Sequence, residues 1–308
     1  MEINKKRKVW IAGGDGLVGK HVASIADSSR YDISILSRKR RSAGAGSISY
    51  IYWDTSKRTI ESNDCPDIII NLAGAGIADE RWSLQRKKEL IESRVNSALT
   101  LEEFLREQAN PPLVYVSASA VGYYGDRGGE MLDEYSSPGN EFMSQTCILW
   151  EEASMDAGKC CQRTVILRIG IVLSMLGGAL PKMLMTKGLG IFPYFGTGDQ
   201  YHPWIHIDDL ARLIWESAEK TVYQGVYNAV APQQVTNRDM VARIQKACGF
   251  RGWLVSAPAV VLKIAMGEMS AVVLNSNRVK STRLSDIGFR WNFRDIGEAV
   301  KNLLVRKK

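Results

Sequence analysis

The sequence predicts an α/β fold built on a doubly wound parallel sheet. Its first 170 residues alternate short apolar runs, rich in β-branched residues, with stretches long enough to form helices. This alternation is typical of βαβ units, whose right-handed crossovers place helices on both faces of a parallel sheet. A chain of 308 residues is also long enough to carry a second, smaller lobe.

Six apolar runs are the predicted buried strands, and the stretches between them supply the predicted crossover helices. The strands are residues 9–12, 33–36, 48–53, 67–74, 113–119 and 164–170, and the helices are residues 16–26, 84–109 and 141–157. Beyond residue 171 the pattern is looser. Residues 188–204, rich in Gly, Pro and aromatic side chains, are interpreted as a loop-bearing insertion.

The C-terminal part offers two further strands and three helices. Residues 205–207 and 225–228 are candidates to return to the sheet, with a helix over 208–220 between them. Thr236 has the T-x-x-D pattern of a helix start, and this helix runs to Cys248. Apolar residues of the last helix recur on one face, at Ile296, Ala299, Val300, Leu303 and Leu304. Since no repeat or low-complexity linker separates the two parts, we expect the second lobe to be interwoven with the first.

The net charge of +7 does not indicate a nucleic-acid-binding protein. Eleven of the 40 basic residues lie in the runs 5–8, 38–41 and 306–308, and the other 29 face 33 Asp and Glu residues, a net charge of −4. No basic stripe with interleaved aromatic side chains remains to follow a phosphate backbone. The terminal runs are interpreted as solvated ends.

Composition also bears on the compartment. Five cysteines, an odd number without C-x-x-C spacing, favour a reducing environment over a disulfide framework. The sequence has no apolar run near the ~18 residues of a membrane span and no apolar signal-peptide core at its start. A cytoplasmic protein without membrane contact is therefore expected.

The strongest motif is GGDGLVG, which follows the first predicted strand. Gly13, Gly16 and Gly19 form a G-x-x-G-x-x-G spacing, with Leu17 and Val18 opening the next helix. In such a loop the first glycine permits a tight turn and the second lets the backbone approach a pyrophosphate. The third allows close packing of helix and sheet, and the helix N-terminus presents N–H groups to the anion. The alternative is a glycine-rich turn without a ligand, which this context disfavours.

The residues after the second strand indicate which dinucleotide binds. An NAD site usually has Asp or Glu there for the ribose 2′-hydroxyl, whereas a basic residue suits a 2′-phosphate. Here Ser37 and Arg38 are followed by Lys39, Arg40 and Arg41. A guanidinium makes charge-assisted, forked contacts with phosphate, so NADP(H) is the predicted cofactor. A solvated basic loop is the alternative.

Two more strand ends are candidates for cofactor contact. Asp54 follows the third strand, where it either contacts adenine or caps the turn after it, and both options stay open. The NLAG segment, residues 71–74, ends the fourth strand where a tight turn passes beside a cofactor ribose, or forms a plain strand-end turn.

These motifs resemble a known family. The glycine spacing, Ser37-Arg38, NLAG and SASAVGYYG (117–125) are similar to those of extended short-chain dehydrogenases/reductases. The more specific resemblance is to the atypical NADP-binding epimerase family proteins, within the NAD-dependent epimerase/dehydratase group. It is carried by residues 71–95, 167–183, 198–210 and 227–232, while residues 267–289 resemble the uncharacterised domain that closes those chains.

The resemblance implies a Rossmann domain over residues 1–230 with NADP(H) bound, a small C-terminal α/β lobe over 231–308, and a contribution of 171–204 to the substrate cleft. It also implies cofactor contacts along the chain. Ser37 and Arg38 meet the adenosine phosphate, Leu72, Ala73 and Gly74 line the ribose, Glu89 and Arg94 hold the other side, Ser117 joins this set, and Ile171 lies near the nicotinamide. Without the resemblance, Glu89 and Arg94 are charges on a solvated helix face.

The glycine loop departs from the wider superfamily at two positions. Ala12 and Asp15 stand where hydroxyl residues are usual. An anionic Asp15 is unfavourable beside a pyrophosphate, so we expect its side chain to point away or to bond backbone N–H groups.

The chain has no Tyr-x-x-x-Lys dyad, the acid/base pair of the larger superfamily. None of its eleven tyrosines has a lysine four residues later, and alignment on Trp150-Glu151 places Met143 and Cys147 at the two positions. Neither side chain performs that proton transfer. The replacement candidates are Ser119, with Ser117 as its neighbour, and Tyr124, with Tyr123 beside it. The alternatives are a backbone-capping serine and packing aromatics.

No metal site is predicted. His202 and His206 flank Trp204, but Pro203 prevents the continuous helix that an i, i+4 metal pair needs. His206 is expected to bond Asp208 or Asp209 as a structural group, with acid/base work as the alternative. Metalloprotease, α/β-hydrolase and P-loop motifs are absent from the sequence.

Three functions were weighed. The first is an NADP-dependent oxidoreductase or epimerase acting on a small molecule, with a sugar nucleotide as one candidate. The second is a non-catalytic NADPH-binding sensor or regulatory module, which accounts for a cofactor loop without the dyad. The third, a nucleic-acid binder, is disfavoured by the scattered charge. A homodimer is an open option for the assembly.

Overall fold

The computed structural model describes residues 6–41, 48–249 and 251–305. Lys5 and residues 306–308, which belong to the terminal basic runs, lie outside the described residues. None of the described helices combines the length and the apolar character needed to cross a membrane.

Strands are numbered along the chain. They are β1 (Arg7–Ala12), β2 (Tyr31–Ser37), β3 (Ile48–Asp54), β4 (Thr59–Ile60), β5 (Ile68–Asn71), β6 (Val114–Ala120), β7 (Met131–Leu132), β8 (Thr164–Ile169), β9 (Ile171–Leu173), β10 (Ile191–Phe195), β11 (Trp204–His206), β12 (Gly225–Ala229), β13 (Trp253–Ala257) and β14 (Arg278–Val279).

Helices are numbered in the same way. They are α1 (Leu17–Ser24), α2 (Leu84–Arg106), α3 (Phe142–Gly158), α4 (Ala179–Met183), α5 (Ile207–Glu219), α6 (Asn237–Ala247), α7 (Ala259–Met266), α8 (Ala271–Leu274), α9 (Thr282–Asp286) and α10 (Ile296–Val305).

Eight of the described strands form one large sheet in the order β12-β8-β6-β5-β1-β2-β3-β4. All neighbours in it are parallel except β3 and β4, which pair as an antiparallel edge. In the centre, Ile11 of β1 lies opposite Ile35 of β2 and Ile70 of β5. The predicted parallel α/β sheet of the Rossmann type is confirmed.

Helices cover both faces of this sheet, because alternate residues of each central strand point to opposite sides. Val9 and Ile11 of β1 belong to a core shared with α1 and α5, whereas Trp10 and Ala12 belong to a core shared with α2 and α3. All four β1 side chains are at most 1% exposed. This two-sided burial explains why the strands appear in the sequence as nearly continuous apolar runs.

The second half of the chain departs from the sequence prediction at two points. The predicted loop over 188–204 contains β10, which pairs in parallel with β13 about 60 residues later. β11 pairs with β9 instead of joining the main sheet, whereas β12 does join it. Both errors concern strands that are hard to pair from sequence, since the partner of β10 is distant in the chain and the partner of β11 is only three residues long. Pro193 is tolerated inside β10 because that strand has a free edge.

The C-terminal helices follow their sequence signals. The Thr236 hydroxyl oxygen accepts the N–H of Asp239 at 3.2 Å and so caps α6. The predicted apolar face of α10 packs on α6 and on β11 through a third core, which includes Trp204, Met240 and Val300. β14 pairs with β7, so the region after residue 250 forms strand pairs with earlier segments at two places.

Candidate functional site

The glycine loop joins β1 to α1 in a turn that only glycine fits. Gly13 has a φ of 74°, and a Cβ there would lie 2.5 Å from the Leu72 carbonyl oxygen. The Gly16 N–H donates to the Gly13 carbonyl at 3.0 Å, and a Cβ on Gly19 would overlap that same oxygen. The loop therefore leaves the N-terminus of α1 accessible to an anion, as a pyrophosphate site requires.

A cleft of about 530 Å³ lies over this loop at the carboxyl ends of β1, β2 and β5. We call it the glycine-loop cleft. Eight predicted cofactor residues line it, namely Gly13, Gly16, Ser37, Arg38, Leu72, Ala73, Gly74 and Glu89. These positions come from four separate segments of the sequence, and the parallel sheet brings their ends together.

The basic run after β2 divides into paired and unpaired cations. Arg40 pairs with both carboxylate oxygens of Glu61, and Arg41 pairs with Asp15 at 2.9 Å. The exposed Arg38 guanidinium, in the cleft wall, has no hydrogen-bond or ion-pair partner among the described residues. Ser37 bonds the backbone of Lys39, with its hydroxyl 2.8 Å from the Lys39 carbonyl oxygen. Arg38 is thus the cation available for a phosphate.

Asp15 has a different partner from the expected ones. The sequence suggested that its carboxylate points away or bonds backbone N–H groups, whereas the structure pairs it with Arg41. For Asp54, the structure shows the contacts of a turn cap, and contact with adenine stays a prediction. Asp54 Oδ1 accepts the N–H and the hydroxyl of Ser56, at 2.9 and 2.6 Å, which lowers the pKa of Asp54 and fixes the turn.

Arg94 of α2 is buried instead of lying on a solvated face. The residue is 5% exposed, and its Nη atoms donate to the carbonyl oxygens of Leu90 and Ala75 at 2.8 and 3.0 Å. The guanidinium lies over the Trp150 ring, with its central carbon 5.0 Å from the ring centroid. Its buried Nε has no partner among the described residues, and burial lowers the pKa of Arg94.

The Arg94 side chain does not line the cleft but lies behind Gly74, which does. Its Cγ would lie 3.2 Å from a Cβ at Gly74, so this glycine makes room for it. Glu89, one turn earlier, is half-exposed and pairs with Arg86 at 2.6 Å. Of these two α2 residues, Glu89 lines the cleft and Arg94 supports its wall from behind Gly74.

A second cavity, of about 480 Å³, lies at the carboxyl ends of β6 and β8. We call it the apolar cavity. Its wall includes Trp82, Val121, Phe142, Ile169, Ile171 and Val272, contributed by the main sheet, α3 and the C-terminal region. Ile171 was predicted to lie near the nicotinamide, and the structure places it in this wall. Residue 203, in the predicted cleft segment 171–204, also lines the cavity.

Helix α3 carries the two positions of the absent dyad. Met143 lines the apolar cavity, whereas Cys147 is fully buried behind it. Burial, with a smaller contribution from Glu151, raises the pKa of the Cys147 thiol to about 12. Cys147 is thus a buried, protonated thiol that packs as a small apolar group.

The hydroxyls proposed to replace the dyad belong to a buried network. Ser119 Oγ donates to Glu151 at 2.6 Å, and both Glu151 oxygens accept from Arg168 at 2.8 Å. Arg168 also donates to the Tyr124 hydroxyl at 3.0 Å, and that hydroxyl donates to Asn228 at 2.7 Å. Burial raises the pKa of Tyr124 to about 12. A catalytic role for Ser119 or Tyr124 stays a prediction, and the geometry gives both a structural use.

Sequence reasoning missed the centre of this network. Arg168 interrupts the apolar strand run TVILRIG, and a charged residue inside a buried strand is itself a sign of a paired, buried ion. Ser117 is also buried, and its hydroxyl lies 2.9 Å from that of Ser154 on α3. Leu17, Val18 and Gly19 lie at the start of α1 and pack it against the sheet and the neighbouring loop.

The two histidines that flank Trp204 have structural partners. His202 is 4% exposed, and its Nε2 lies 3.2 Å from the Val273 carbonyl oxygen while its Nδ1 lies 3.3 Å from the Asn237 amide nitrogen. Burial lowers the pKa of His202 to about 4. His206 Nδ1 accepts the Asp208 N–H at 3.1 Å and caps α5. Within the described ranges, no three or more His, Cys, Asp or Glu side chains are grouped to hold a metal ion.

Comparison with known proteins gives two family matches. Residues 9–229 match the NAD-dependent epimerase/dehydratase family, and residues 257–303 match a domain of unknown function, DUF1731. An epimerase family protein of Staphylococcus saprophyticus is 32% identical over 96% of this chain and 98% of its own. The human epimerase family protein SDR39U1 is 30% identical over 97% of this chain and 100% of its own.

Solved structures agree with this placement. Human SDR39U1, crystallised with NADPH, superposes with a TM-score of 0.87 at 28% identity, covering 96% of this chain and 98% of that one. A nucleoside-diphosphate sugar epimerase of Corynebacterium glutamicum gives a TM-score of 0.77 at 29% identity, covering 98% of this chain and 59% of that one. With a matching family model over more than half of its length, the chain belongs to the NAD-dependent epimerase/dehydratase family.

Proposed function

We propose that this protein binds NADP(H) in the glycine-loop cleft and acts as an NADP-dependent oxidoreductase or epimerase on a small molecule held in the apolar cavity. One observation carries the cofactor proposal. The open N-terminus of α1 and the unpaired Arg38 guanidinium line the same cleft, so a pyrophosphate and a 2′-phosphate each find a donor set there.

In this proposal, different residues contact different parts of the cofactor. Gly13 and Gly16 keep the loop low enough for the pyrophosphate to approach the backbone, and Arg38 meets the 2′-phosphate. Leu72, Ala73 and Gly74 line the ribose, with Glu89 and Arg94 opposite them. Ile171 places the nicotinamide end at the apolar cavity. The human relative crystallised with NADPH supports this choice of cofactor.

The reaction would take place in the apolar cavity. NADP(H), when bound, supplies or accepts the hydride. The chain's own contribution is to orient the substrate and to exclude water, since aliphatic and aromatic side chains from the sheet, α3 and the C-terminal region enclose the space.

A sensor is the second candidate function. It is supported by the closed network around Arg168, which occupies the hydroxyls of Ser119 and Tyr124, and by Met143 and Cys147 at the dyad positions. In that case NADPH would be held without turnover and would control a partner or the assembly of the protein itself.

Native mass spectrometry of the purified protein, without added ligand, tests cofactor binding. We expect a retained mass that matches NADP(H). Titration with NADPH and NADH then tests Arg38. The Arg38→Glu variant should bind NADPH at least tenfold more weakly and lose its preference over NADH, whereas Lys39→Glu, which changes the adjacent charge, should keep that preference. An unchanged preference in Arg38→Glu would remove Arg38 from the site.

Turnover separates the two candidate functions. The nicotinamide absorbance of NADPH is followed while the protein is mixed with a panel of aldehydes and ketones. An enzyme consumes NADPH with at least one of them, and hydrogen exchange into the substrate would identify an epimerase. Tight NADPH binding without either signal favours the sensor.

The other expectations stay proposals. The cysteine usage of the sequence supports a cytoplasmic location. The name of the C. glutamicum protein suggests a sugar nucleotide as one substrate class, and the two carboxylates that are the only charged side chains among the described residues lining the apolar cavity argue against it. A homodimer is tested by light scattering of the purified protein.

A further inference from the structure

The charges around the apolar cavity are unusual for a site that binds nucleotides. Among the described residues that line it, the only charged side chains are two carboxylates, Glu141 and Glu268. No described lysine or arginine lines it. Diphosphates are normally bound by guanidinium or ammonium groups, or by helix N-termini.

Both carboxylates already have partners. Glu141 accepts the Asp126 N–H, at 3.1 Å to its Oε1, and Glu268 pairs with Lys87 of α2 at the rim of the cavity. The Lys87 ammonium at this rim is therefore neutralised within the protein. The cavity wall itself offers a bound anion no free positive charge among the described residues, since Arg81, next to Trp82, donates to the Ile264 carbonyl oxygen and Arg278, over the Tyr201 ring, donates to Gln234.

His202 does not supply the missing cation. It lines the cavity, but its two ring nitrogens are used by the Val273 carbonyl and the Asn237 amide. One nitrogen donates and the other accepts, which is the pattern of a neutral imidazole. The low pKa of His202, about 4, agrees with that pattern.

One buried polar atom of the cavity wall lacks a partner among the described residues. Asn277 lines the cavity, and its buried Oδ1 makes no hydrogen bond to the described residues. A buried, unsatisfied acceptor costs free energy unless a ligand or water supplies a donor. The remaining wall is mainly aliphatic and aromatic, as at Trp82, Phe142 and Val272.

We propose that the apolar cavity takes an uncharged, mainly apolar molecule with one hydrogen-bond donor, which bonds Asn277, and that it excludes sugar nucleotides. This inference rests on the proposed function, because it takes this cavity to be the substrate site. The volume of about 480 Å³ fits a compact molecule and is shared with whatever part of the cofactor enters.

The probe for the experiment is N-phenyl-1-naphthylamine, an uncharged aromatic amine with one N–H donor whose fluorescence rises in apolar surroundings. It is titrated into the protein with and without saturating NADPH. We expect one saturable site, with no displacement by millimolar UDP-glucose. Displacement by UDP-glucose, or direct binding of UDP-glucose in the micromolar range, would overturn the proposal.

Two lysine variants locate the probe. Val272→Lys places a cation in the cavity wall at a side chain that is 40% exposed, and it should weaken probe binding at least tenfold. Ile264→Lys adds the same charge on the exposed face of α7, where the side chain is 72% exposed, and should leave probe binding unchanged. The reverse result would place the probe on the surface of α7 and overturn the proposal.

The outcomes separate this inference from the proposed function. If the protein binds the probe in the cavity but does not bind NADPH, the proposed apolar ligand class is supported and the proposed cofactor is overturned. If the protein binds NADPH but shows no saturable site for the probe, only the proposed apolar ligand class is overturned. The UDP-glucose competition on the unmodified protein does not depend on either variant folding.

Discussion

Two buried arginines contact neighbouring residues of α3, and their surroundings differ. Arg168 donates to both oxygens of Glu151 and to the hydroxyl of Tyr124. Arg94 donates only to two backbone carbonyl oxygens and lies on the ring of Trp150, with no carboxylate partner among the described residues. A buried cation whose charge is balanced is satisfied within the protein, whereas one without an anion is a candidate to bind an anionic ligand.

The difference teaches that burial by itself does not mark a site. Both arginines are about equally hidden, at 4% and 5% exposure for Arg168 and Arg94. What separates them is whether their hydrogen-bonding and charge requirements are met inside the protein. The same criterion separates the closed network around Arg168, which includes two predicted catalytic hydroxyls, from the glycine-loop cleft with its unpaired Arg38.

The largest effect is expected from breaking the closed network. Glu151→Ala leaves the Arg168 guanidinium buried without its anion, and loss of one partner of a buried ion pair costs about 3–5 kcal/mol. Denaturant unfolding of this variant should show that loss. Glu152→Ala, at the adjacent exposed position of α3, should change the free energy of unfolding by less than about 0.5 kcal/mol. A Glu151→Ala protein as stable as Glu152→Ala would contradict the comparison.

The next largest effect is the pH dependence of stability at His202, a second buried group whose hydrogen bonds are all made within the protein. His202 has a pKa of about 4 in the folded protein and about 6.5 when unfolded, so the unfolded chain binds the proton more tightly. The contribution of neutral His202 to the free energy of unfolding is therefore complete above pH ~6.5. It is lost as the pH falls, and the loss amounts to about 3 kcal/mol at pH 4.

This contribution is isolated by difference. The free energy of unfolding is measured at pH 7 and pH 4 for the unmodified protein and for His202→Gln, which cannot titrate. The unmodified protein should lose about 3 kcal/mol more than the variant does. Parallel losses would mean that the folded protein binds the proton as tightly as the unfolded chain does, so that His202 would become a cation in the cavity wall once the pH falls below about 6.5.

The sequence predicted the glycine-loop cleft far better than the apolar cavity. G-x-x-G-x-x-G, Ser37-Arg38 and NLAG each follow a strand, and the carboxyl ends of parallel strands must meet at one edge. The cavity wall instead joins Trp82, Phe142 and Val272, residues from three distant segments. Their contact depends on tertiary packing, for which no local pattern exists.

The polar network shows the same limit. Ser119 and Tyr124 are visible in the sequence as hydroxyls near a strand end, which is why they were candidates for chemistry. Their partners Glu151, Arg168 and Asn228 lie on α3, β8 and β12, up to about 100 residues away. Only the fold shows that these hydroxyls are used within the protein. Similarly, the burial of Arg94 follows from the packing of α2 on α3.

An intermediate effect is expected at Arg94, the buried arginine without a carboxylate partner among the described residues. Arg94→Met keeps an apolar stem of similar length and removes the cation, so NADPH should bind about tenfold more weakly, which corresponds to about 1.4 kcal/mol. The free energy of unfolding should change by about 1 kcal/mol or less, because the loss of two hydrogen bonds to carbonyl oxygens and of the contact with the Trp150 ring is offset by removal of a buried charge that has no anion.

The control for Arg94 lies on the same helix. Arg106→Met removes an arginine that is exposed and paired with Glu102, and it should leave NADPH affinity unchanged. NADPH titration and denaturant unfolding are carried out on both variants. If Arg94→Met lowers the stability by several kcal/mol while NADPH affinity stays the same, Arg94 is a structural residue like Arg168.

The smallest effect is expected at Asp15, where the glycine-loop cleft contains a balanced pair of its own. Asp15 and Arg41 are both partly exposed, so their ion pair contributes little, and Asp15→Asn should change the free energy of unfolding by less than about 0.5 kcal/mol. It removes a negative charge beside the N-terminus of α1 and releases Arg41. NADPH affinity should therefore rise about two- to threefold at low salt, and the gain should fall as added salt screens the charges. A loss of affinity in this variant would mean that the Asp15 carboxylate holds the loop or Arg41 in the shape that the cofactor needs, and the cleft would then depend on a closed ion pair just as the network around Arg168 does.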